Sequence, residues 1–117
     1  MPNVHFLGRV DDLAPYYLQA TAVVAPILSG SGLKTKTVEA LRYGKYVIGS
    51  AEAFEGIPIL NYPGAGCECH NTSDYISLIN SLKVAKTNEA SLRLFDEQFS
   101  TATQLKRFNE FIMSTAQ

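Results

Sequence analysis

The stretch Pro26-Ile-Leu-Ser-Gly-Ser-Gly-Leu-Lys-Thr-Lys-Thr-Val-Glu-Ala-Leu41 gathers the residue types that can hold an anionic ligand. A loop of Gly30, Ser31, Gly32 and Leu33 breaks an apolar run and leads into a helical pattern. The start of that helix offers free backbone N–H groups and a partial positive charge of about half a unit. Lys34 and Lys36 add two cations in the first turn. Together these groups suit a diphosphate. Glu39 comes one turn further in, three and five residues beyond the lysines, and a carboxylate there can accept two hydrogen bonds from adjacent sugar hydroxyls. Phosphate and diol recognition in one place suggest a nucleotide. The loop fits neither the phosphate-loop pattern ending in Gly-Lys-Ser/Thr nor the three spaced glycines of dinucleotide-binding turns, which weighs against kinase and dehydrogenase chemistry.

Other reactive types carry less. Cys67, Cys69 and His70 lie on one short segment, whose alternate side chains point to opposite faces, and no second ligand cluster accompanies them, so no metal site is expected. Asn71-Thr72-Ser73 has the form of a glycosylation acceptor, but these are also ordinary helix-capping residues. His5, between apolar neighbours, reads as structural.

The elements that must position these residues follow from apolar spacing. Val4 to Leu7, closed by Gly8, reads as a short buried strand. Asp11 and Asp12 offer N-caps for a helix over 13–20, with Pro15 tolerated in its first turn. The apolar run 21–27 lacks alternation, as in a strand covered on both faces, and Pro26 sits at its carboxyl end. The next helix spans 35–43, with Gly44 as a left-handed C-cap. Residues 46–50 form a third strand and 66–70 a short fourth. Ser73 is expected to cap an amphipathic helix carrying Tyr75, Ile76, Leu78, Ile79 and Leu82. Residues 88–113 read as two helices separated near Ser100. Phe95, Phe99, Phe108 and Phe111 fall at helical spacings, as packing residues do.

This alternation predicts an α/β architecture: a partial Rossmann-like domain with three to four mostly parallel strands, flanking helices and a C-terminal helical segment. A doubly wound domain usually carries five or six strands, so the chain is expected to begin partway through one. Its 117 residues, 46% hydrophobic and 18% charged, can build one core. Ten basic against eleven acidic residues give a net charge of −1, which argues against nucleic acid or an anionic membrane surface as partner. Two cysteines one residue apart do not make a secreted disulfide framework, and no leader or membrane-spanning run is seen. A cytoplasmic location is expected.

Taken in order, Val4-His-Phe-Leu-Gly-Arg-Val-Asp-Asp-Leu13, Tyr17 to Pro26, Gly30 to Lys36, Glu39-Ala-Leu41, Gly44-Lys-Tyr-Val-Ile48 and Glu55-Gly56 resemble the C-terminal, donor-binding half of retaining GT-B glycosyltransferases. The group includes sucrose synthases and the lipopolysaccharide and capsule hexosyltransferases. The resemblance covers about residues 3–85 by motif. It divides the chain into a nucleotide-sugar-binding part at 1–85 and closing helices at 86–117.

The resemblance implies transfer of a hexose from a nucleotide-diphosphate sugar to a glycan or lipid-linked acceptor, with retention. The acceptor would be bound by an N-terminal domain absent from this chain, which alone would be inactive. Glu39 would bind the ribose hydroxyls, Gly30, Ser31, Gly32 and Leu33 would lie against the sugar and diphosphate, and Lys34 and Lys36 would contact phosphate as the catalytic cations. No metal or other cofactor is implied. Ser31 stands where the family pattern has a first glutamate, eight residues before the second, and a serine cannot supply its charge. Two alternatives follow, a non-catalytic nucleotide-binding or subunit-pairing module and a sugar-nucleotide epimerase of the same plan. In the full-length protein the resemblance extends to a peripheral place at the inner membrane face. In the isolated chain it leaves Phe108 and Phe111 free to drive self-association.

Overall fold

A computed structural model of the chain describes residues 4–26 and 35–115. The order is helix α1 (Ala14–Gln19), strand β1 (Ala22–Ala25), helix α2 (Thr35–Arg42), strand β2 (Tyr46–Gly49), two 3-10 turns (Glu52–Phe54 and Ile59–Asn61), strand β3 (Gly66–Glu68), then helices α3 (Thr72–Ser81), α4 (Glu89–Phe99) and α5 (Thr101–Thr115). The architecture is α/β, with three parallel strands in one open sheet ordered β1-β2-β3, consistent with a partial Rossmann-like domain.

Strands form within the segments read as β1, β2 and β3, but the expectation of cover on both faces of β1 is corrected: it is an edge strand and leaves Val24 46% exposed. Central β2 fits best, with Val47, Ile48 and Gly49 all buried. Its register places Ala25 beside Gly49 and Glu68 beside the same glycine from the other side. A Cβ at Gly49 would meet the Ala53 methyl at 2.9 Å and the Ala25 carbonyl oxygen at 3.1 Å, so the small residue lets the following turn fold tightly across the sheet end.

Val4 to Leu7 corrects the expectation of a first buried strand. This segment is irregular and exposed, and Phe6 shows 93% of its surface to solvent. An apolar run becomes a strand only when a neighbour accepts its backbone bonds, and none among the described residues does. His5 accordingly has no strand environment.

Helix ends follow local chemistry with two adjustments. Asp12 accepts the Ala14 N–H at 3.0 Å, although Leu13 holds the N-cap position. At α3 the cap is Asn71, whose side-chain oxygen accepts the Asp74 N–H at 2.9 Å, and Ser73 lies inside the helix. Gly44 ends α2 with φ at +71°, the left-handed conformation that glycine adopts without strain.

The core lies between β2, α2 and α4, where Leu41, Val47 and Leu94 are completely buried. Lys45, at the start of β2, is only 1% exposed, and its ammonium donates to the Lys86 carbonyl at 2.7 Å. Ser91 of α4 shares its hydroxyl between the carbonyls of Lys45 at 2.8 Å and Ala65 at 3.2 Å. Among the described residues no helix is long and apolar enough to cross a membrane.

Candidate functional site

The carboxyl end of β1 and the start of α2 face the same region, as expected where a ligand binds at the strand ends of an open α/β sheet. Gly30, Ser31, Gly32, Leu33 and Lys34, on the connection between them, lie outside the described residues. Lys36 and Glu39 are described. Lys36 is exposed in the first turn of α2 and Glu39 is half-buried one turn later.

Alpha helix spacing puts residues i and i+3 on one flank, and α1 shows which flank that is. Lys36 borders a recess of about 310 Å3 together with Leu13, Tyr16, Tyr17, Ala20 and Val23. The Tyr17 phenol is pushed above its ordinary value, first by burial and then by the negative charge of Glu39. Lys36 and Glu39 therefore share the side of α2 that looks onto Tyr17. Tyr17 stacks on Tyr43 with centroids 5.1 Å apart and planes at 7°, so an aromatic wall stands beside the carboxylate.

The α2 start is held in place from behind. Thr37, fully buried, donates its hydroxyl to the Ala53 carbonyl at 2.9 Å, and Ser50 N–H reaches the Ala25 carbonyl at 3.3 Å. The turn after β2 thus ties the end of β1 to the first turn of α2. Of the two charged groups Lys36 alone lines the recess, which lies beside Ala22 and Val23 at the start of β1; an exposed cation with a half-buried carboxylate one turn on can meet a phosphate and a diol, and the aromatic recess a flat ring.

Motif spacing singled out Lys36 and Glu39 but passed over Tyr16, Tyr17 and Tyr43. The Tyr16-Tyr17 pair was visible as two aromatics on a short helix, but helical spacing alone does not separate a recess wall from ordinary packing.

A second recess, about 430 Å3, opens beside β3 and α3 and is lined by Cys67, Glu68, Cys69, Asp74, Ser77, Leu78 and Ser81. Cys69 is buried and its thiol is pushed up, by burial first and then by Cys67 and Asp74. Glu68 also meets His70, whose Nε2 lies 3.3 Å from a Glu68 carboxylate oxygen. Among the described residues no group of three or more His, Cys, Asp or Glu side chains could hold a metal ion.

Comparison with known proteins adds one finding. The family model described as glycosyl transferases group 1 matches residues 1–82. No curated protein and no solved structure matches the chain.

Proposed function

This chain belongs to the group 1 glycosyl transferases, and from that premise we propose that it forms the donor-binding part of a retaining GT-B hexosyltransferase. The observation that carries the reading is the shared flank of Lys36 and Glu39 against the Tyr17 recess at the β1 end of the sheet. Residues 1–85 hold the nucleotide-diphosphate sugar, and 86–117 supply the closing helices.

The two charged groups are separated by three residues, about 4.5 Å of helical rise, so a single ligand can engage both. Glu39 accepts hydrogen bonds from the ribose hydroxyls. Lys36 contacts the diphosphate, and the sequence pattern assigns Lys34 and the loop from Gly30 to Leu33, outside the described residues, to the same ligand. When the bond between the anomeric carbon and the diphosphate oxygen breaks, negative charge grows on the leaving group, and these cations and dipoles offset it. An acceptor hydroxyl of a glycan or lipid-linked sugar, held by a second domain, forms the new bond and releases its proton. Charge stabilisation of this kind works without a divalent cation. Ser31 offers the donor sugar a neutral hydroxyl where the family pattern has a carboxylate. That substitution favours a second reading, in which the chain binds nucleotide without transferring sugar.

Amide NMR titration of the chain with UDP, GDP and ADP tests the site. Shifts at Lys36 and Glu39 with one nucleotide, weakened several-fold by Glu39→Ala, are expected. Unchanged affinity in that variant removes Glu39 from the site. Donor hydrolysis or transfer after pairing with an acceptor domain separates an enzyme from a binding module.

A further inference from the structure

The α3 side of the sheet carries a pair of thiols that glycosyl transfer does not use. Cys67 is paired in β3, and the extended backbone continues through Cys69, whose N–H donates to the Gly49 carbonyl at 2.7 Å. Residues two apart on an extended chain share a face, so both sulfurs emerge on one side, and Glu68 between them pairs with His70. The Cys67 thiol donates to the Glu68 carbonyl at 3.6 Å, and Cys67 is near enough to Cys69 to push its thiol up. Both border the same open recess. Cys67 is half-buried and reachable, whereas Cys69 is 3% exposed.

We propose that Cys67 and Cys69 form a two-coordinate site for a soft monovalent cation of the copper(I) class. Thiolate sulfur selects soft cations, whereas magnesium and calcium need oxygen donors. A closed zinc site needs four ligands, and no third His, Cys, Asp or Glu completes a cluster here among the described residues. Copper(I) and silver(I) accept two sulfurs. A direct disulfide fits less well: an extended i, i+2 pair spans about 6.6 Å between Cα atoms, near the upper limit of roughly 6.8 Å for such a bond. The ladder bond to Gly49 holds that extension, and a bridging cation fills the remaining gap.

Binding displaces two thiol protons to solvent and leaves the oxidation state of the cation unchanged. The product carries one net negative charge. The Tyr75 hydroxyl is buried with no hydrogen-bond partner among the described residues, and it lies near enough to Cys69 to feel the charge of its thiolate. Tyr46 is coupled to both cysteines from β2, and Asp74 faces Cys69 from α3.

The test is titration of the reduced full chain, without oxygen, with silver(I) as a redox-inert probe and with copper(I) against a chromogenic chelator. One cation per chain and two protons released are expected. Cys67→Ala and Cys69→Ala should each weaken uptake by more than the roughly 10–100-fold that removal of a mere supporting residue produces. Cys67→Ala touches a half-exposed position, so its effect is readable even if the Cys69 variant unfolds; circular dichroism reports which has kept its fold. Glu39→Ala should leave uptake unchanged, which separates this site from the nucleotide site. No uptake, one cation per two chains, or full uptake by the folded Cys67→Ala chain would overturn the proposal.

Discussion

Helices α3 and α4 begin with the same device and end in different environments. Each is capped by an asparagine whose side chain accepts a backbone N–H three residues on, Asn71 from Asp74 at 2.9 Å and Asn88 from Ser91 at 2.8 Å. Yet α4 buries Ser91 and Leu94 completely, while α3 has no buried residue and leaves Ile76 and Ile79 exposed. The difference is in what the neighbouring backbone permits. Helix α4 lies over two glycines: a Cβ at Gly44 would meet Thr87 at 2.8 Å and Leu92 at 3.2 Å, and one at Gly64 would meet Ala90 at 3.0 Å. With that close approach, the Ser91 hydroxyl reaches two carbonyls and Asn88 N–H reaches the Gly44 carbonyl at 2.7 Å. A cap starts a helix, but only close contact with α2 and with the segments leading into β2 and β3 buries it.

The sharpest way to break this comparison is truncation of matching apolar side chains. Leu94→Ala should cost about 3 kcal/mol, the transfer and cavity terms of a fully buried leucine, whereas Ile76→Ala should stay within about 0.5 kcal/mol. Urea unfolding of both variants measures this, and equal losses would show that α3 is as well packed as α4. Ser91→Ala comes next, at about 1–2 kcal/mol, because the Lys45 carbonyl loses the Ser91 hydroxyl, while the Ala65 carbonyl keeps the Val47 N–H at 3.0 Å.

Cap removal gives a smaller contrast. Asn88→Ala and Asn71→Ala each remove about 1 kcal/mol from their helix. The first should lower the global unfolding midpoint. The second should mainly speed amide hydrogen exchange within α3, since an unburied helix opens locally without the core following.

Alkaline pH should separate the two regions by sign. Burial pushes the Cys69 thiol above its ordinary 9.0, and Cys67 and Asp74 add to the shift. The native chain therefore keeps that proton after the unfolded chain has lost it, and stability falls as pH rises past about 9. Burial lowers the Lys45 ammonium below its ordinary 10.5, with Lys86 adding repulsion. There the unfolded chain binds the proton more tightly, so stability rises from the lowered value up to about 10.5. Midpoints followed from pH 8 to 10.5 should show a smaller alkaline loss in Cys69→Ala and a larger one in Lys45→Met. Matching slopes in both variants would assign the alkaline response to other groups, among them the raised phenols of Tyr17, Tyr46 and Tyr75.

Much of the element order was legible because it rests on local physics. The apolar runs gave β1 and β2, the segment after the proline- and glycine-rich stretch gave β3, Gly44 closed α2, and the break near Ser100 separated α4 from α5. The same logic failed at Val4 to Leu7, where composition suited a strand but no partner strand accepts its backbone. Of the candidate site, Lys36 and Glu39 were readable from spacing. The recess walls Tyr16 and Tyr17, and the Tyr17–Tyr43 stack, were not, because they join α1 to α2 across the intervening β1. Lys45 gave no signal at all, since a charged residue at a strand start is ordinarily solvated.

By itself, then, the sequence determined the helices and the strands that follow them from Ala14 onward, where the helices stop, and that a cation and a carboxylate stand one turn apart on α2. Those outcomes depend on backbone conformation and on neighbours within about four residues. Tertiary structure alone decided that α4 rather than α3 covers the core, that Lys45 is buried against the Lys86 carbonyl, and that the two cysteine thiols share one recess. Each of these turns on how closely distant backbones approach, which is set by packing across the sheet and is written in no local pattern.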